Sequence, residues 1–175
     1  MSQLELLYIF LLNLMNNLNV KTGFNIIFIV SIISLISAYF IEYVLGHQPC
    51  NLCLIERIPY GLSIILVISN YIFKGKEKLI ILLLVLSFLF SLLISIYHFG
   101  IEKGFFEESA ICTMKNTTEI ISKEQLLEQL PERIISCKDV TFRFFGFSLT
   151  TINILISLIL SILLVKLYKN YEKYK

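Results

Sequence analysis

The chain has 175 residues, is 57% hydrophobic with a mean hydropathy of +0.79, and is only 16% charged, against roughly 25% in soluble domains. That balance excludes an ordinary soluble domain and points to the bilayer. A formal net charge of +2 provides no basic field of the kind that nucleic acid selects, so no nucleic-acid partner is expected.

Residues 1–19 place Leu4, Leu7, Tyr8, Leu11, Leu12, Leu14 and Met15 at largely helical spacing. This predicts an amphipathic helix on the membrane surface within an N-terminal segment of residues 1–23. The segment lacks the basic n-region and small-x-small cleavage site of a signal peptide, so its retention is expected.

A hydrocarbon core about 30 Å thick takes roughly 20 apolar residues per helix. Four windows meet or approach that length: 24–45, 54–73, 79–99 and 144–167. The expected fold is therefore an all-α membrane protein, a four-helix bundle occupying residues 24–175. Its ionisable residues, Glu42, Glu56, Arg57, His98 and Lys166, fall near window ends, where side chains reach the interface. Pro59 withholds a helical donor from the Ile55 carbonyl and predicts a local kink.

Lys21, the cluster Lys74, Lys76 and Lys78, and the tail residues Lys166, Lys169, Lys173 and Lys175 mark the cytoplasmic side by the positive-inside rule. Both termini are then cytoplasmic, and the loops 46–53 and 100–143 lie outside. The long loop carries six basic residues diluted among eight acids, so its own orientation signal is weak. Within it, Leu126, Leu127, Leu130 and Ile134 share one side of a short helix, with Ser122 as N-cap and Pro131 as its break.

All four cysteines, Cys50, Cys53, Cys112 and Cys137, fall on the outer side. Thiols serving only as small core hydrophobes would lie inside the windows. Four cysteines admit three pairings, which sequence alone does not resolve. The Cys50-x-x-Cys53 spacing favours a local pair, and so short a loop stabilises a fold least, which argues for a reactive role. A Cys112 to Cys137 bond would be either structural or open to a substrate.

Cys53 lies near the start of the second window with Arg57 one turn on, so the helix N-terminus and the guanidinium are both expected to favour a thiolate there. Arg57 also fits a lipid headgroup contact; its spacing from Cys53 favours a site for a lipid-soluble two-electron acceptor such as a quinone. His98, at the outer end of the third window, is a candidate donor to a quinone carbonyl. Glu42 reads as an interfacial acid.

The run Cys50-Asn51-Leu52-Cys53 with Arg57-Ile58-Pro59-Tyr60, then Cys112, then Cys137 and "FFGFS" at the last window, resembles the bacterial disulfide bond formation protein B (DsbB) family over about residues 38–153. The resemblance implies redox disulfides Cys50–Cys53 and Cys112–Cys137. The first is linked to membrane ubiquinone or menaquinone. The second oxidises a periplasmic thioredoxin-fold partner resembling DsbA. It further implies Arg57 and His98 at the quinone site, an inner-membrane location with periplasmic cysteine loops, and no metal. Two rivals differ on the same residues. A vitamin K epoxide reductase-like enzyme carries its CxxC on a later membrane helix, whereas this CxxC lies in the first outer loop. A non-enzymatic scaffold would be stapled by static disulfides or hold zinc, but the span from Cys112 to Cys137 is long for a zinc knuckle.

Overall fold

The computed structural model describes residues 19–73, 75–113, 136–139, 142–144 and 146–173. The predicted amphipathic helix at 1–19 and the loop helix at 122–134 lie essentially outside the described residues. Four long helices carry the fold: α1 (Val20–Tyr43), α2 (Asn51–Ile72), α3 (Glu77–Glu102) and, after the short α4 (Ala110–Thr113) and a two-strand hairpin, α5 (Leu149–Lys173). The strands β1 (Arg143–Phe144) and β2 (Phe147–Ser148) pair antiparallel around Gly146, whose φ of 85° suits glycine. All four long helices are long and apolar enough to cross a membrane. The protein is a four-helix membrane bundle.

Hydropathy located the spans, but local hydrogen bonding sets their ends. The Cys50 Sγ accepts the Cys53 N–H at 3.3 Å, and the Cys50 carbonyl accepts the Leu54 N–H at 3.2 Å. Cys50 is thus the N-cap, and α2 begins three residues before the apolar window, with Cys53 in its first turn rather than in the loop. The last helix starts later than expected, at Leu149, because residues 143–148 turn through the hairpin. α3 ends in a Schellman motif: Phe105 N–H reaches the Gly100 carbonyl at 2.8 Å and Gly104 N–H reaches Ile101 at 3.0 Å, with Gly104 at φ 76°. Pro59 is buried inside α2, which continues through it.

Successive helices run antiparallel, and α3 and α5 make the most extensive contact. The main core collects Phe24 and Ile27 of α1, Tyr60 and Val67 of α2, Leu84 and Phe88 of α3, and Leu160 and Leu164 of α5. In a bilayer, burial of apolar area drives helix association little, so close packing and interhelical hydrogen bonds hold the bundle. Ser31 and Ser63 join α1 to α2 through their hydroxyls at 2.6 Å, and Ser91 and Ser157 join α3 to α5 at 3.0 Å. Gly23 lies so close to Leu167 that a Cβ there would meet its side chain at 2.4 Å. Outward-facing Ile29, Ile33, Ile65, Leu86, Leu93 and Ile159 remain exposed for lipid.

A second, smaller core sits at one end of the bundle. Leu52 and Ile101 pack there with Cys50, Cys112 and Cys137, bringing both halves of the cysteine chemistry together.

Candidate functional site

Cys50 and Cys53 follow from the helix cap: residues at N-cap and N3 present their side chains over the same first turn. Their Sγ atoms stand 2.8 Å apart as free thiols. Cys112 and Cys137 are joined in a disulfide, with Cα atoms 5.7 Å apart. α4 carries Cys112 and is tied to α2 where Asn51 Nδ2 donates to the Ile111 carbonyl at 2.7 Å. On the other strand of the loop, the Ser136 hydroxyl and the Lys138 N–H both donate to the Glu108 carboxylate. These bonds hold the Glu108 carboxyl below its usual value, the Ser136 hydroxyl contributing most.

A cavity of about 600 Å³ opens between α1, α2 and α5. Cys53, Glu56, Arg57 and Tyr60 line it from α2, Asn153 from α5, and aliphatic residues of α1 supply most of the remaining wall. Phe142 and Phe144 border it from the hairpin, with Phe142 packed on His47 at 5.3 Å between ring centroids. Cys53 thus faces the cavity, while Cys50 is buried against Cys112 and Cys137.

Arg57 also faces the cavity, but its charge is matched by an acid that the sequence reading placed merely at the interface. Its guanidinium donates to Glu42 across from α1 at 2.5 Å and lies over the Tyr39 ring, 5.1 Å from the centroid. With both thiols free, a hydrogen bond with the Cys53 thiol, aided by His98, lowers the Cys50 thiol pKa against the effect of burial. Two adjacent thiols share one proton most cheaply when the capped, His-contacted sulfur carries the charge.

His98 sits behind the pair rather than along the cavity wall. Its Nε2 is 3.5 Å from Cys50 Sγ, and its Nδ1 is 2.9 Å from Glu56 Oε1 and 3.3 Å from Thr150 Oγ1. Glu56, only 8% exposed, was read from sequence as a helix-end charge; the structure makes it the polar centre of the site. Its second oxygen accepts from Asn153 Nδ2 at 2.9 Å, and Asn153 in turn accepts from the Tyr60 hydroxyl at 2.5 Å. An acid three residues after Cys53, hence on the same helix face, was the signal available for finding it.

Cys50, Cys53 and His98 bring donor atoms within 4.8 Å of one another, a set that zinc accepts chemically. Two sulfurs on one tetrahedral zinc, at Zn–S of about 2.3 Å, would stand about 3.8 Å apart. The separation of 2.8 Å suits formation of a sulfur–sulfur bond better. The arrangement is thus one for thiol–disulfide exchange: a dithiol on a helix cap, a disulfide packed beside it, and a cavity on the opposite side of the dithiol.

The comparisons agree with that chemistry. The family model described as "Disulfide bond formation protein DsbB" matches residues 21–167. The chain is also 32% identical over 137 residues to the protein printed as "Uncharacterized protein RP370" of Rickettsia prowazekii (strain Madrid E), covering 77% of this chain and 80% of that one. No solved structure matches. With a family match that reaches into all four long helices and includes every cysteine, the chain belongs to the DsbB family of membrane disulfide bond formation proteins.

Proposed function

We propose that this protein is a quinone-dependent thiol oxidoreductase that reoxidises a soluble, thioredoxin-fold dithiol resembling DsbA. The observation that carries the reading is the placement of one thiol pair between two environments. Cys53 lines a largely apolar cavity while Cys50 packs against the Cys112–Cys137 disulfide. The lysine-marked end of the bundle is then cytoplasmic, and the cysteine end periplasmic in a bacterial inner membrane.

The cavity's largely aliphatic wall, with a few convergent polar groups, fits a quinone ring and the start of its isoprenoid tail. Arg57 and Tyr60, which line the cavity, would orient its oxygens, and Glu56 would supply an ionisable group beside them. When bound, a quinone supplies a lipid-soluble acceptor for two electrons and two protons. His98 serves this site from behind the thiol pair, through Cys50 and Glu56, instead of by direct contact.

The cycle begins with both pairs oxidised. A thiolate of the soluble partner attacks Cys112, breaking the Cys112–Cys137 bond and freeing Cys137 as a thiolate. Cys137 attacks Cys50, forming a Cys137–Cys50 bond and displacing Cys53 as a thiolate at the cavity wall. In that mixed disulfide Cys50 no longer competes for the charge, so Cys53 takes it. The partner's second thiol then displaces Cys112, and the partner leaves oxidised. Cys112 attacks Cys137, re-forming Cys112–Cys137 and releasing Cys50 as a thiol beside Cys53, and the dithiol re-forms Cys50–Cys53 by giving two electrons and two protons to the acceptor on the cavity side.

The test is to supply the purified protein with a reduced thioredoxin-fold dithiol and a short-chain ubiquinone or menaquinone. One quinone consumed per dithiol oxidised is the expected result. Dithiol oxidation that proceeds without quinone consumption would overturn the coupling.

A further inference from the structure

We propose that Glu56, His98, Thr150 and Glu102 form a proton path from the outer end of the bundle to the cavity, with Glu56 as the catalytic group that hands protons to the acceptor. The inference deepens the quinone-coupled reading and rests on it. Oxidation of a dithiol to a disulfide releases two electrons and two protons, and reduction of a quinone takes up two of each. Electrons reach the cavity through the sulfur of Cys53. The protons, however, are released at the outer surface where the soluble dithiol reacts, and they must reach the acceptor in the cavity.

The path is continuous in hydrogen-bonding groups. Thr150 Oγ1 donates to Glu102 Oε1 at 2.5 Å and lies 3.3 Å from His98 Nδ1, which is 2.9 Å from Glu56 Oε1. Glu102 is the last residue of α3, next to the turn that starts the outer loop. Glu56 lines the cavity at the other end. Between Glu102 and Glu56, His98 and Thr150 are each only 2% exposed, Thr150 also bordering the cavity, so protons move along side chains instead of through bulk water. A threonine hydroxyl both accepts and donates, and His98 Nδ1 faces both Thr150 and Glu56, so a small turn of the ring lets that one nitrogen take a proton from the first and give it to the second.

Asn153 fixes the inner end. It donates to Glu56 Oε2 at 2.9 Å and to Ser95 Oγ at 2.7 Å while accepting from Tyr60. His98 Nε2 also faces Cys50 Sγ at 3.5 Å, so the path has a branch to the buried thiol. A carboxylic acid placed inside a membrane helix is costly unless it is used or paired, and here it is paired to a group that can carry its proton away.

The experiment uses the full-length protein and the variants Thr150→Val, Thr150→Ser and Glu102→Gln. Quinone-free protein is reduced and subjected to a rapid pH jump, and the Cys50 thiolate absorbance is followed. The groups facing this network are Cys53 and Glu56 on α2, His98 and Glu102 on α3, Thr150 and Asn153 on α5, and the Arg57–Glu42 pair across the cavity. Thr150→Val should slow equilibration at least about tenfold with an unchanged end point, since it removes one link and leaves the endpoints in place. Thr150→Ser should restore the rate. Glu102→Gln, which lies off the cavity wall, should slow it as well, and it carries the same prediction if Thr150→Val fails to fold. Ubiquinone turnover should fall by the same factor while exchange at Cys112–Cys137 is unaffected. Wild-type equilibration rates in both Thr150→Val and Glu102→Gln would overturn the path. A wild-type protein that reduces no quinone, with slowed equilibration in the variants, would overturn the quinone reading and leave the path standing.

Discussion

The two ends of the bundle are built from different materials. Toward the lysine-marked end, Phe24, Ile81, Leu84, Leu164 and Leu167 form an apolar core, and serine hydroxyls bridge the helix contacts beside it. Toward the cysteine end, the same helices bury Glu56, His98, Thr150 and Asn153 around a dithiol. Removing a polar side chain there leaves its partner unsatisfied in a low-dielectric setting, whereas removing an aliphatic side chain below leaves a void. The cysteine end should therefore fail in chemistry, and the lysine-marked end in stability.

The largest expected effect tests the cysteine end. Cys53→Ser should abolish quinone reduction while Cys112–Cys137 still exchanges with a reduced partner, because Cys53 faces the cavity and Cys50 faces the disulfide. Thiol trapping of the partner on Cys112 would report the surviving step. Unchanged turnover in Cys53→Ser membranes would remove the division of labour between the two thiols.

Leu84→Ala tests the other end. Leu84 is fully buried, and buried Leu→Ala changes typically cost 2–5 kcal/mol. In a bilayer the water-transfer part is largely missing, so packing loss alone places the cost near the bottom of that range, about 2 kcal/mol. Thermal unfolding in detergent should register the loss, and turnover per folded molecule should stay at the wild-type level. A turnover defect at full stability would show that the two ends are not separable.

Arg57→Ala probes the boundary between them. An unpaired quinone oxygen should raise the quinone KM about tenfold, near 1.4 kcal/mol, with little change in kcat. The companion Glu42→Gln releases the guanidinium from its carboxylate partner and should lower KM or leave it unchanged. If Arg57→Ala leaves KM unaltered, the residue belongs to the lipid headgroup instead.

How far the sequence carries this picture follows from the range of each interaction. The spans were legible because apolar runs of about 20 residues have few alternatives to a membrane helix. Cys50 and Cys53 were legible because three-residue spacing on a helix cap is a local relation. Arg57 was found, but its partner Glu42 lies on a neighbouring helix, and nothing along the chain links the two. Glu56 was seen and misread for a related reason: a charge near a window end looks interfacial until the cap at Cys50 shows the helix already under way. Asn153 and Thr150, ordinary polar residues early in the last span, acquire meaning only when α5 packs against α3 and brings them to Glu56 and His98. Hydropathy reports how a segment meets lipid; it carries no information on which polar side chains meet one another inside.

The smallest effect concerns the loop that presents the disulfide. Glu108 accepts from the Ser136 hydroxyl and the Lys138 N–H, pinning the residues on either side of Cys137 to those just before α4. These bonds favour the ionised carboxylate and lower its pKa from 4.5 in the folded loop. A carboxyl whose folded pKa is depressed stabilises the folded loop fully above its unfolded value. That contribution disappears as the pH falls through the lower, folded one. Wild type and Glu108→Gln should thus differ near neutral pH, with Cys112–Cys137 in the variant reduced about twofold faster by a phosphine, a modest factor because the carboxylate is partly exposed to water. Comparing the two proteins at each pH removes the reductant's own titration, and their difference should shrink to nothing on acidification. A difference that persists in acid would mean that Glu108 holds the loop by shape and not by charge, leaving the disulfide's presentation to the packing of Cys112 and Cys137 against Leu52 and Ile101.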